Sequence, residues 1–202
     1  AKQIVVAGDS KQLRPGDLYQ VRWQEEETED VNLEVESLLD LVSRYFVKVQ
    51  LNGHYRSKSL ELIDFSNRHF YGGQLRLLPD QQSINNSQMP LQFYKVNGVW
   101  EKNTNLAEAE AIANMVLQLY QESPERSIGV ITFNAPQQNL VLDVLEEKFA
   151  SSNTTIPESL FVKNIENVQG DERDIIIFSI GYAPDKKGKL NMQFGSLNAQ
   201  GG

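Results

Sequence analysis

The chain has 202 residues, a formal net charge of −8, 40% apolar and 23% charged residues, as in ordinary globular proteins. It contains no cysteine, which excludes disulfides and thiolate metal sites, and its two histidines are too few for a histidine-based metal cluster. No apolar run approaches the ~20 residues of a membrane span and no signal peptide is visible, so the predicted compartment is the cytoplasm. The acidic balance counts against a free-standing module that binds nucleic acid by charge alone, but it leaves room for a local basic groove.

Blocks of apolar residues alternate along the chain with helical patterns. The predicted strands are Gln3–Ala7, Phe46–Leu51, Leu91–Val96, Ile128–Phe133, Phe161–Ile165 and Asp174–Tyr182. The predicted helices are Leu33–Tyr45, Ser57–Phe70, Asn105–Gln121 and about Pro136–Phe149, with Glu25–Glu36 and Gln81–Pro90 as polar loops and a hairpin at Lys189–Phe194. Because strands alternate with helices, the predicted fold class is α/β with a mainly parallel sheet.

The domain boundary is predicted at the acidic loop and the helix that follows it. Residues 1–45 then form one partial unit, and a self-contained domain covers residues 46–202. The chain begins without Met and stops at Gly201–Gly202 in a polar loop, so we expect an excised fragment of a larger protein.

Two turns in the first half follow predicted strands and carry polar side chains suited to phosphate. In the first, Gln12 could hydrogen-bond a phosphate oxygen or an attacking water, or it could belong to an ordinary polar loop. In the second, Arg56 stands just before a predicted helix, where amides and a guanidinium together favour phosphate, and Tyr55 could stack on a base. The alternative is that Tyr55 is a core residue and Arg56 forms a surface ion pair.

Two further turns lie in the second half. Thr132 and Gln137 could hold a nucleic-acid backbone together with the helix-start amides, or the segment could be a plain helix cap. A polar turn enters the last apolar strand, and strand ends are where open α/β sheets bind ligands. Candidate ligand contacts in and beside this turn, which could alternatively be solvent-facing or surface-paired residues, are Lys163, Asn164, Gln169, Gly170 and Glu172.

Taken together, GDSKQLRP, HYRS, ITFNAPQQ and IENVQGDERDIIIFS resemble, in order and spacing, superfamily 1 helicases. The branch most similar contains the nonsense-mediated-decay and replication-associated helicases, which translocate 5′ to 3′. The resemblance implies a RecA-like fold in which two such domains clamp ATP and Mg²⁺ and single-stranded DNA or RNA crosses their top.

The resemblance also implies a role for each candidate residue. Gly8–Pro15 is the motif III turn, at the edge of the first RecA-like domain, where Gln12 senses the γ-phosphate. Tyr55 and Arg56 form motif IV, with Tyr55 near the adenine and Arg56 on the γ-phosphate. Gln169–Asp174 is the motif V turn, where Gln169, Gly170 and Glu172 face the nucleotide. The implied nucleic-acid contacts are Thr132, Gln137, Lys163 and Asn164.

The sequence departs from the family pattern in one motif and lacks three other family motifs. It has Phe133–Asn134 where the family often has Pro-Tyr, and it has no GxxxxGK[ST] loop, no Asp-Glu motif before Gly8 and no motif VI arginine. The chain alone is therefore expected to be inactive as an ATPase. Two other hypotheses stay open: a non-catalytic module that binds nucleotide or single strands, and a doubly wound interaction domain in which these turns are only structural.

Overall fold

The computed structural model of the chain describes residues 3–12, 37–57, 59–77 and 89–190. The acidic run Glu25–Glu36, nearly all of the predicted loop Gln81–Pro90 and the end of the predicted hairpin lie outside the described residues. The chain divides into two compact units, Ala1–Tyr94 and Lys95–Gly202. This division falls at a different place from the predicted boundary near Phe46, which concerns the two RecA-like domains and stays a prediction.

Four helices and five strands are seen in the described residues. In chain order they are α1 (Leu38–Ser43), β1 (Gly53–His54), α2 (Leu60–Phe70), β2 (Arg76–Leu77), α3 (Leu106–Glu122), β3 (Ile128–Thr132), α4 (Ala135–Ser151), β4 (Phe161–Asn164), a 3-10 helix (Ile165–Asn167) and β5 (Ile175–Ser179). The described helices contain no segment long and apolar enough to cross a membrane.

The second unit is a three-stranded parallel sheet covered on one face by two helices. The strand order is β4-β3-β5, with β3 in the centre, and both of its pairings are parallel. Helices α3 and α4 pack against each other and against the sheet. Mixed helices and a parallel sheet are the arrangement of a RecA-like P-loop NTPase fold, so the predicted fold class is confirmed.

Apolar residues between the helices and the sheet form the core of this unit. Val116 from α3, Val130 from β3 and Phe149 from α4 are at most 1% exposed. All of β3 is buried, as expected for a central parallel strand. β5 differs from the fully buried strand that its sequence indicates, because Phe178 is 56% exposed on the face away from the helices.

Both helices of this unit begin next to an asparagine cap, which the sequence predicts for Asn105 at the start of α3. The Asn105 side chain accepts a hydrogen bond from the Glu108 amide at the start of α3. Asn134 does the same for the Gln137 amide at the start of α4, with Pro136 in the first turn. Side-chain acceptors at these positions satisfy amides that have no partner inside the helix.

The first unit contains shorter elements than the sequence predicts. Three segments predicted as strands, Gln3–Ala7, Phe46–Leu51 and Leu91–Val96, have no regular secondary structure. Their apolar side chains are exposed, Val47 by 93% and Phe93 by 82%. A strand needs a neighbour to accept its backbone hydrogen bonds, and among the described residues none pairs with these segments.

Candidate functional site

The motif III turn is organised by one carboxylate. Asp9 accepts hydrogen bonds from the Lys11 backbone N–H at 2.9 Å, the Gln12 side-chain amide at 3.1 Å and the Tyr71 hydroxyl at 2.6 Å. The first of these closes a tight Asx-type turn just after Gly8. The side chain of Gln12, the predicted γ-phosphate sensor, is thus oriented by Asp9.

These contacts also shift the proton affinities of the pair. Burial alone would raise the pKa of Asp9, but the hydrogen bonds from Tyr71, Lys11 and Gln12 outweigh it and hold this pKa below its ordinary value. The hydrogen bond to Asp9 raises the pKa of Tyr71 to about 12. At neutral pH, Asp9 is therefore an ionised acceptor and Tyr71 a neutral donor.

The two motif IV residues follow β1 directly. Tyr55 is 88% exposed, so it is not the core residue of the alternative interpretation, and Arg56 is exposed as both interpretations expect. The His54 Nε2 accepts a hydrogen bond from the Ser57 backbone N–H at 3.0 Å and closes the turn beneath them. The predicted helix start at Ser57 is wrong, because α2 begins at Leu60 and Ser59 occupies the cap position. The backbone amides at the amino-terminal end of α2 are therefore farther from Arg56 in the sequence than predicted.

The His54 contact predicts a pH-dependent stability. Burial and the nearby Arg56 charge lower the pKa of His54 below 6.5. Just below pH 6.5 the unfolded chain therefore binds a proton more readily than the folded chain, and stability is expected to fall as the pH decreases from about 7 through 6.5. The effect is less than about 1 kcal/mol, because the imidazole is only partly buried and solvent screens its charge.

Urea unfolding midpoints of the 202-residue chain across this pH range measure the effect. His54→Gln is expected to flatten the slope. His69→Gln is the matched control, since His69 lies on the exposed last turn of α2, and it should keep the slope. Equal slopes for the wild type and His54→Gln would contradict the prediction.

In the second unit, the carboxyl ends of three strands lie side by side. Thr132 is in register with Asn164 on one side and with Ser179 on the other. Thr132 is fully buried and donates its hydroxyl hydrogen bond to the Asn134 carbonyl at 3.1 Å. Asn164 caps the 3-10 helix through the Glu166 amide at 3.3 Å. Both residues thus shape the loops at this edge of the sheet.

Gln137 is buried next to this edge, and both the oxygen and the nitrogen of its side-chain amide form hydrogen bonds. Its Oε1 accepts from the Asn105 backbone N–H at 2.7 Å. Its Nε2 donates to the Asn105 carbonyl and to the Ser179 hydroxyl, each at 3.3 Å. The side chain is 0% exposed. This placement favours a structural role, and contact of Gln137 with nucleic acid stays a prediction.

Glu108 completes a polar network that the sequence did not reveal. Its carboxylate accepts from the Ser179 hydroxyl at 2.8 Å and from the Gly181 backbone N–H at 2.9 Å. In a capping box a glutamate at this position would bond back to the Asn105 N–H, but Gln137 takes that donor. Spacing identified Asn105 and Glu108 as a cap, but their partners more than 70 residues away depend on the tertiary fold.

The motif V turn is anchored across the sheet face that the helices leave open. Lys163 pairs with Asp171 at 2.6 Å, and Arg173 lies over the Phe161 ring at 4.7 Å. Arg173 also donates to the Ser159 and Glu172 backbone carbonyls. These contacts fix both ends of the turn.

Within the motif V turn, the three residues with predicted nucleotide contacts lie on the surface. Gln169, Gly170 and Glu172 are exposed, and Gly170 has a φ of +90°, which glycine adopts without strain. The turn ends at Asp174, which accepts from Ser127 just before β3. It therefore reaches the amino-terminal edge of the sheet. The connection that contains it starts after Asn164 at the carboxyl end of β4, so only the start of this connection is shown to lie at the edge where open α/β sheets bind ligands.

The predicted site residues thus fall into three groups. Gln12, Tyr55 and Arg56 belong to the first unit. Thr132, Gln137 and Asn164 lie at the carboxyl edge of the second unit. Lys163 and the outward motif V residues belong to the turn on the open face of the second unit. In each group, hydrogen bonds or an ion pair hold the surrounding turn or side chains in place. The nucleotide and nucleic-acid roles of these residues stay predictions.

Comparison with known proteins agrees with the helicase resemblance. Residues 34–196 match the AAA domain family. An uncharacterized ATP-dependent helicase of Mycoplasma pneumoniae, the MG140 homolog, is 37% identical over 221 aligned positions, covering 99% of this chain and 19% of the relative. Its counterpart from Mycoplasma genitalium, the uncharacterized ATP-dependent helicase MG140, is also 37% identical, covering 100% of this chain and 19% of the relative.

The chain spans about a fifth of the length of these curated relatives, so it aligns with one segment of each of them. The family match covers most of the chain and includes motifs IV and V. The predicted resemblance to helicases is confirmed, and the chain belongs to the AAA domain family.

Proposed function

We propose that the chain is a motor segment of an ATP-dependent helicase or translocase, called here the parent protein. In this proposal Gln12, Tyr55 and Arg56 lie on the nucleotide together with Gln169, Gly170 and Glu172. Thr132, Gln137, Lys163 and Asn164 belong to the groove that carries single-stranded DNA or RNA. The observation that carries the proposal is the alignment of nearly the whole chain with relatives named ATP-dependent helicases.

The domain assignment is part of the proposal. Residues 1–45 would belong to the end of a first RecA-like domain, with the motif III turn, and residues 46–202 to the second. The partner of this segment is then the first RecA-like domain of the same protein. The 5′-to-3′ polarity, the superfamily 1 branch and the cytoplasmic location rest on the sequence motifs and composition alone.

The geometry supports a nucleotide-facing role for motif IV. Tyr55 and Arg56 are exposed at the end of β1, and the His54 contact to Ser57 fixes the turn that presents them. A planar ring and a guanidinium on adjacent residues suit a base and a phosphate.

Phosphoryl transfer requires Mg²⁺, and in this proposal other parts of the parent protein would hold that ion. In the described ranges, no group of three or more His, Cys, Asp or Glu side chains lies close enough together to hold a metal ion. When bound, Mg²⁺ would neutralise charge on the β- and γ-phosphates. The residues of this chain would instead contribute to binding the base and ribose and to sensing the γ-phosphate.

The test compares the parent protein with the 202-residue chain. The parent is expected to release phosphate from ATP, faster in the presence of poly(dT) or poly(U), whereas the chain alone should show no turnover above buffer. Catalysis of phosphoryl transfer needs the phosphate loop, the metal and the arginines together. Turnover by the chain alone would overturn its assignment as one part of the site. Nucleotide binding without turnover by the parent would favour a non-catalytic binding module.

A further inference from the structure

Tyr71 joins two segments that are 62 residues apart in the chain. Its hydroxyl donates to the Asp9 Oδ2 at 2.6 Å, and the contact is partly buried. The same oxygen accepts from the Gln12 side-chain amide at 3.1 Å. Asp9 therefore stands between a tyrosine near the end of α2 and the glutamine with the predicted phosphate-sensing role.

The backbone holds Tyr71 firmly at this position. Tyr71 is the C-cap of α2, and its N–H donates to the Asn67 carbonyl at 3.2 Å. Gly72 and Gly73 follow with φ values of 62° and 71°, left-handed conformations that let the chain turn sharply. The Asn67 side chain bonds both the N–H and the carbonyl of Leu75, at 2.9 and 3.2 Å, and closes the turn.

The turn after Tyr71 leads directly to the motif IV residues. It continues into β2, which pairs in parallel with β1, matching Gly53 with Arg76. Tyr55 and Arg56 follow β1. One connected set of hydrogen bonds therefore runs from Asp9 through Tyr71 and its turn to the strand that presents Arg56.

We propose that Tyr71 is a positioning residue for Gln12, which it orients by holding the carboxylate of Asp9. This proposal rests on the proposed function, because it assigns Tyr71 to the γ-phosphate-sensing part of the same ATP site. Without the Tyr71 hydroxyl, Asp9 keeps its contacts to Lys11 and Gln12 but loses the anchor that ties it to α2. The Gln12 amide then samples orientations that do not face the phosphate.

The test uses the parent protein and the substitution Tyr71→Phe, which removes only the hydroxyl. The net contribution of a typical hydrogen bond supports an expected fall of about three- to tenfold in kcat for ATP with poly(dT) or poly(U), with KM for ATP little changed. Tyr94→Phe is the matched control, since the Tyr94 hydroxyl bonds only the exposed Gln92 nearby in the described structure. It should leave kcat unchanged.

A double-mutant cycle separates positioning from a general structural role. If Tyr71 acts through Gln12, Tyr71→Phe should lower kcat in the wild type and leave it unaltered in a Gln12→Ala background. Equal reductions in both backgrounds, or wild-type kinetics for Tyr71→Phe, would overturn the inference. A wild-type parent without ATP turnover would instead overturn the proposed function, and this inference with it.

Discussion

Replacing Arg56 with alanine in the parent protein is expected to lower kcat for ATP by about 100- to 1,000-fold. The reason is electrostatic, because negative charge on the γ-phosphate oxygens needs a fixed cation during transfer. Arg56 is exposed beside Tyr55, on a turn that His54 holds to Ser57 at 3.0 Å. Arg56→Lys should recover only part of the loss, since an ammonium cannot form the paired hydrogen bonds of a guanidinium. Phosphate release at saturating ATP and single strand measures both variants.

Arg68 provides the matched control for this experiment. It is also an exposed arginine of the first unit, and it pairs with Asp64 at 2.8 Å along α2. Because exposed pairs of this kind contribute little, Arg68→Ala should change kcat by less than about twofold. If Arg56→Ala and Arg68→Ala both leave ATP turnover at the wild-type rate, motif IV is structural and the hypothesis of an interaction domain gains support.

The second unit could be predicted well from the sequence, because local signals and burial agree there. Helix α3 begins just after Asn105, as its capping spacing indicates, and α4 begins at Ala135, next to the predicted Pro136. β3 is as buried as its apolar run implies. The helix starts depend on residues a few positions apart, and the tertiary burial of β3 agrees with its local apolar run. Consistency between local preference and tertiary packing is what makes such segments predictable.

The first unit was predicted less well because strand formation depends on partners. Gln3–Ala7 and Phe46–Leu51 have the composition of strands, yet Val5 is 83% exposed and Val49 is 81% exposed. An apolar pattern reports what a segment prefers to bury, but not which strand lies beside it. In the described residues, only β1 and β2 pair in this unit.

The candidate site shows the same division between local and long-range information. The motifs identified Gln12, Arg56 and Gln169 as residues with candidate roles, since such sequence patterns need no tertiary structure. The contacts of Tyr71 with Asp9 and of Glu108 with Ser179 join residues 62 and 71 positions apart. No spacing rule connects residues at such separations, so these partners could be found only in the folded chain.

Gln137→Ala is expected to lower the free energy of unfolding of the 202-residue chain by about 3–5 kcal/mol. The substitution leaves a cavity and removes the acceptor of the Asn105 N–H and the donor to the Ser179 hydroxyl. Both groups are buried, so water cannot easily replace the lost partner. Gln137→Leu, which nearly keeps the volume, should cost about 2–3 kcal/mol and thus isolate the hydrogen-bond contribution.

Urea unfolding of the chain measures these losses, with Gln118→Ala as the control. Gln118 is an exposed glutamine of α3 that bonds Glu122, so its removal should change stability by less than about 0.5 kcal/mol. The measurement also decides between two roles for Gln137. A residue of the buried hydrogen-bond network affects the free energy of unfolding, whereas a residue that contacts nucleic acid affects the affinity for single strands. A Gln137→Ala chain as stable as the control, with weaker single-strand binding in the parent protein, would favour direct contact. A large loss of stability would instead assign Gln137 to the buried network that holds the carboxyl edge of the sheet.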